Sequence, residues 1–298
     1  MKRSLISFMF AMILAGTIGV FVTQSHLDSL TAVFFRCLIA AICLGIYGLY
    51  RGLFSRAVFQ SGELRYITVA GIALVINWVL LFQAFRLSSI TIGIASYYTE
   101  PFFLIALGVV LLKEKFNRST VIWTALAFVG LLLIILNTQQ AVATGNTILL
   151  GIVCALVAAF FYALATIMGK KVVKTSPIVM TFIQMLIGTL FLLPFANIRS
   201  ALAGNTGWVY VITLGAVHTA FLYVLFYQSV RNVPTTLIAP LSFLDPLVAI
   251  LSDVILYSTL LSGLQIIGIA TILVAAYLVS QSVKPQPIME SIKKRNYS

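Results

Sequence analysis

Only 7 of the 298 residues are acidic, yet two of them lie deep in apolar sequence and are each followed by proline. These are Glu100-Pro101 and Asp245-Pro246, which share one register at an offset of 145 positions. An ionised carboxylate at bilayer depth costs roughly 2.5–3.5 kcal/mol on insertion scales, so one that persists there faces a bundle interior and has a task. The proline behind each acid is expected to leave an upstream carbonyl without its helical partner, where no bulk water replaces it. Three roles fit Glu100 and Asp245: proton carrier, substrate ligand, or partner of the freed backbone and of Arg36. Pro101 and Pro246 mark the helix breaks.

Other polar groups accompany them. Arg36 reads either as a cation facing a cavity, paired with Glu100 or with a substrate carboxylate, or as a side chain snorkelling to headgroups. Asn77, Trp78 and Gln83 recur at helical spacing, as do His218, Tyr223, Tyr227 and Gln228, with Tyr97 and Tyr98 just before Glu100. Such side chains suit a pocket for an amphipathic or aromatic solute, although Tyr and Trp near span ends also form interfacial belts. His218 is either a group that titrates near neutrality or a histidine bonded across helices. Asp253, about 12 Å beyond Asp245 along a helix, is expected near the outer end, where solvation is easy.

The elements that must position these residues follow from composition. Hydrophobic residues make up 61% of the chain and charged ones 9%, with a mean hydropathy of +1.09. Soluble domains carry about a quarter charged residues, so this is a polytopic membrane protein. The apolar runs are continuous and about 20 residues long, which excludes the alternating segments of a membrane β-barrel. They fall at roughly 5–25, 30–50, 66–86, 89–112, 119–137, 147–168, 176–196, 207–230, 234–256 and 260–281, predicting ten helices. The first run is read as a retained span and not a signal peptide, because no clear small-x-small cleavage site follows it.

Lysine and arginine orient the chain. With the N-terminus inside, 16 of the 19 fall in cytoplasmic segments, Arg86 and Arg199 lie outside, and Arg36 is within a span. The positive-inside rule then places both termini in the cytoplasm. The net charge of +12 faces anionic lipid and requires no nucleic acid. The three cysteines lie in apolar runs and form no disulfide framework. No Walker motif, H-E-x-x-H or Cys/His cluster is present, so neither an enzyme nor a bound cofactor or metal is expected.

The chain also repeats. At an offset of 145, Leu80-Leu81-Phe82-Gln83-Ala84-Phe85-Arg86 meets Leu225-Phe226-Tyr227-Gln228-Ser229-Val230-Arg231, and Glu100-Pro101 meets Asp245-Pro246. At 148, Arg36-Cys37-Leu38-Ile39 meets Gln184-Met185-Leu186-Ile187. Each half has five spans, an odd number, so the second copy enters the membrane from the opposite side. The fold expected is all-α, ten transmembrane helices in two inverted five-helix repeats, at 1–140 and 147–282, with a tail at 283–298. Inverted repeats with midplane sites on interrupted helices mark secondary transporters that work by alternating access.

On these residues the chain resembles the drug/metabolite transporter superfamily, of the ten-helix EamA type. The resemblance rests on Phe34-Phe35-Arg36, the segment Asn77 to Arg86, Tyr97-Tyr98-Thr99-Glu100-Pro101, Leu111-Leu112-Lys113-Glu114-Lys115, Leu244-Asp245-Pro246 and Gly268. It implies gradient-driven, often outward, movement of small metabolites, amino acids or drugs across a bacterial inner membrane, by a monomer or homodimer. The second copy has Thr259 where the first has Glu114, so Glu114 is expected in a loop ion pair with Lys113 or Arg118 and not in a symmetric gate. A lipid-linked sugar flippase and a non-transporting membrane sensor are the competing readings.

Overall fold

A continuous apolar segment can cross a bilayer only by satisfying its own backbone, which makes each such run a helix. The structure, a computed structural model describing residues 2–54, 62–88, 90–136, 147–257 and 262–282, contains helices and no strands among those residues. Nine are long and apolar enough to span a membrane: Arg3–Ser25, Ser29–Tyr50, Leu64–Leu87, Ile92–Leu112, Arg118–Ile135, Thr147–Lys171, Pro177–Phe195, Trp208–Val230 and Thr235–Ser252. Gly263–Ser282 is the tenth, with a shorter apolar stretch. These are spans one to ten. Their starts fall within 3 residues of those expected from hydropathy. The expected tail at 283–298 lies outside the described residues, as do Thr259 and the Asp253 side chain.

Large apolar side chains such as Leu149, Val209 and Ile255 point outward, as they do when the solvent is lipid. Polar residues turn inward instead: Arg36, Asn77, Glu100, Gln184 and His218 are all buried. Local signals start the helices. Asp28 accepts a bond from the Thr31 amide at 3.1 Å to cap span two. Ser176 and Pro177 open span seven, with proline where no amide is needed.

Packing between helices follows a two-fold pattern. Spans two and seven, equivalent in the two repeats, pack on each other, and so do spans five and ten. Span three lies along span six, while its counterpart, span eight, lies along span one. Spans four and six meet, as do spans nine and one. Each contact is therefore made twice or lies on the pseudo-axis, as two inverted five-helix repeats require.

Four helices depart from regularity. Span four is interrupted at Tyr98-Thr99, between Ile90–Tyr97 and Glu100–Leu112. Span nine is interrupted at Ser242-Phe243, between Thr235–Leu241 and Leu244–Tyr257. Span one breaks at Thr17, and span eight contains a π-helical turn at Ala216–Phe221. The counterparts of these last two, spans six and three, run as single helices. The pair formed by spans one and eight is thus distorted where its symmetry mate is straight.

Candidate functional site

The two chain breaks place the acids. Glu100 is the first residue of its half-helix and Asp245 the second of its own. Spans four and nine run in opposite directions, so two helix N-termini, each bearing an acid, converge near the middle of the bundle. Unpaired amides and the helix dipole favour negative charge at that end of a helix. The expected orphan carbonyl is corrected here. Pro101 and Pro246 sit in a first turn, where a missing amide breaks no helical bond, and the interruption precedes the acid.

Glu100 is 4% exposed, and no donor among the described residues reaches its carboxyl. It feels the charge of Asp245, to which the Tyr98 hydroxyl donates. Aromatic rings surround the pair. Tyr97 lies 5.9 Å from Tyr98 and 6.2 Å from Tyr162 of span six, ring centre to ring centre. The Asn77 amide donates to the Ala158 carbonyl at 2.9 Å and to the Tyr97 hydroxyl at 3.2 Å. Trp78 and Tyr223, equivalent in the two repeats, meet edge to face at 6.3 Å, so the pseudo-axis passes close by.

Arg36 belongs to the same interior but to another part of it. Its guanidinium carbon stands 5.1 Å over Trp78, and its Nε donates to Thr219 Oγ1 at 2.9 Å. Thr219 in turn donates to the Leu214 carbonyl, five residues back, a bond that the π turn makes available. At 6% exposure, Arg36 is held inside the bundle and does not snorkel. The expected pairing with Glu100 is also corrected: among the described residues Arg36 pairs with no carboxylate. Its electrostatic neighbours are Cys37, His218 and Tyr223, and Tyr223 alone of these also feels Asp245.

His218 turns away from the acids. Its Nε2 lies 2.9 Å from Thr17 Oγ1 and its Nδ1 3.4 Å from the Thr213 carbonyl oxygen. Phe21 lies beside it, ring centres 4.4 Å apart and planes tilted by 45°. This bond ties the break in span one to the π turn in span eight. Gln83 and Gln228, expected along a pathway, are exposed and stand apart from the cluster; the helical turn carries each past the interior face. Thr17, Tyr162 and Thr219 were not legible as site residues. A hydroxyl beside His218 was the only hint of the last.

At the end of the bundle that holds most basic residues, a polar lock joins three spans. Glu114 Oε1 meets Lys170 Nζ at 2.8 Å, and its Oε2 accepts from the amide and hydroxyl of Thr235. The expected partners Lys113 and Arg118 are replaced by Lys170, because span four ends against span six. Nearby, Glu63 accepts from the amides of Val173, Lys174 and Thr175 and from the Thr175 hydroxyl, at 2.7–2.9 Å for the shortest bonds. Burial pushes the Glu63 carboxyl up, but these bonds outweigh it and hold its pKa below the ordinary value.

Known proteins share the sequence pattern and the fold of this chain. The model of the EamA-like transporter family matches twice, over residues 2–136 and 149–281. The chain belongs to this family. Each matched segment of this EamA-like transporter contains one acid–proline pair. An uncharacterized transporter of Bacillus subtilis, YxxF, is 34% identical over 281 residues, covering 92% of this chain and 90% of its own. A probable amino-acid metabolite efflux pump of Salmonella typhimurium is 28% identical, covering 62% and 66%. The riboflavin transporter ImpX of Fusobacterium nucleatum is 25% identical, covering 61% and 63%. A solved crystal structure superposes with a TM-score of 0.81 at 15% identity, covering 94% of this chain and 99% of its own, which shows a shared fold.

Proposed function

We propose that this EamA-like transporter is a secondary carrier that moves a small organic solute across a bacterial cytoplasmic membrane by alternating access. The repeats, taken as 1–140 and 147–282, rock about the pseudo-axis. Glu100 and Asp245 are the coupling carboxyls, and the Trp78–Tyr97–Tyr223 surface holds the solute. The observation that carries this reading is the convergence of two acid-bearing half-helix N-termini, one from each repeat, in the bundle interior. Such broken helices supply ion and solute sites in inverted-repeat carriers. Outward movement is supported by relatives named as efflux pumps. Both termini are cytoplasmic in this reading, so the Glu114–Lys170–Thr235 lock lies on the inner side.

The test is transport in proteoliposomes under an imposed pH gradient, over a panel of small amphipathic solutes. A coupling role predicts that Glu100→Gln keeps substrate counterflow and loses proton-driven accumulation. If the two fall together while binding survives, Glu100 is a gate or structural residue and the coupling role is lost.

A further inference from the structure

A guanidinium inside a membrane protein needs a counter-charge, and Arg36 has none among the described residues. Its Nε is taken by Thr219, and its face lies on Trp78. Among the described residues its remaining N–H groups meet no acceptor. They are not sealed in protein either, since Arg36 contributes no atom to the fully buried, unsatisfied groups. Leaving a cation this way is costly unless an anion completes it. The guanidinium fork matches a carboxylate in two parallel bonds.

Symmetry sharpens the point. The equivalent position in the second repeat is Gln184, 1% exposed, whose amide nitrogen and oxygen have no well-formed hydrogen bond among the described residues. The centre therefore carries one cation and one neutral polar group, where two-fold symmetry would allow two cations. Among the described residues Arg36 and Glu100 also form no ion pair.

We propose that Arg36 is the binding residue for an anionic group on the transported solute, and that the solute is an organic carboxylate whose flat apolar body lies against Trp78 and Tyr223. The proposal rests on the carrier reading above and names its substrate class. One end of the site then reads the carboxylate, and the acid pair at the other end is left free for protons.

Trp78 reports the event directly. In full-length protein carrying Trp123→Phe and Trp208→Phe, Trp78 is the sole indole. Its fluorescence is titrated with 3-phenylpropionate, 3-phenylpropionamide and 3-phenylpropylamine in lipid nanodiscs. The expected result is at least about tenfold tighter binding of the carboxylate than of the amide, reduced by Arg36→Lys and abolished by Arg36→Gln. Equal binding of the three, preference for the amine, no binding of any, or a preference that survives Arg36→Gln would each overturn it. Should Arg36→Gln fail to fold, the three-ligand comparison in protein retaining Arg36 decides alone. Transport of a neutral or cationic solute without carboxylate preference would end this inference and leave the carrier reading standing. Carboxylate preference with no transport in proteoliposomes would do the reverse.

Discussion

Gly130 of span five and Gly268 of span ten face each other with no room for a side chain between them. A Cβ on Gly130 would lie 2.8 Å from the Gly268 carbonyl oxygen, and one on Gly268 would lie 2.5 Å from the Gly130 oxygen. The reciprocity means the two helices cross at their shared axis, backbone against backbone, as small residues permit in lipid. In contrast, a Cβ on Gly19 meets nothing within 4 Å.

Gly268→Leu is therefore expected to destabilise the bundle by about 1–3 kcal/mol, since backbone atoms cannot yield as a flexible side chain would. Gly19→Ala should be neutral or stabilising by up to about 1 kcal/mol. Thermal unfolding in a mild detergent compares them, and equal melting temperatures would disprove the close crossing.

Glu63 gives a pH dependence with a defined sign. Its folded pKa lies below the ordinary value of 4.5, so its contribution is present above that value and is lost as pH falls through the folded pKa. Glu63→Gln should cost about 1–3 kcal/mol near pH 7, because a neutral amide cannot accept all the bonds from 173–175. The gap between variant and parent should narrow as pH falls below 4.5 and through the folded pKa. Melting curves over this range test this, and a gap that is unchanged at low pH would rule it out.

The Glu114–Lys170 pair should show strong coupling, because the Lys170 side chain is only 8% exposed. A double-mutant cycle with Glu114→Gln and Lys170→Met is expected to give about 1–3 kcal/mol of interaction. The single Glu114→Gln variant should be the more damaging to closure of this end, since it also loosens Thr235. Labelling of a cysteine placed at Ser242 by a membrane-impermeant thiol reagent added from the basic side should then speed up. Unchanged labelling would mean that the lock holds no gate.

Topology is the last expectation. Reporter fusions at Gly145 and at the C-terminus should report periplasm and cytoplasm respectively, following the bias of 16 basic residues to 2. The opposite result at either fusion would undo the inner assignment of the Glu114 lock.

Hydropathy alone located the ten helices, because lipid forces every apolar run of about 20 residues to satisfy its own backbone. The repeat was legible as well, since Gln83 with Gln228, Arg86 with Arg231 and the two acid–proline pairs keep a single register. Those signals are one-dimensional. They marked Glu100 and Asp245 as exceptional but could not show that each begins a half-helix, because a proline in an apolar run fits either a kink or a fresh start. The partners of charged groups were decided by tertiary structure. Charge alone offered Arg36 either Glu100, a substrate carboxylate or the headgroups, yet the crossing of spans two, three and eight turned it to Thr219 and Trp78. Glu114 found Lys170 instead of its sequence neighbours, since span six ends beside span four. Gln83 and Gln228 fell outside the cluster because one helical residue rotates a side chain by about 100°, and a span's facing is set by the helices packed on it.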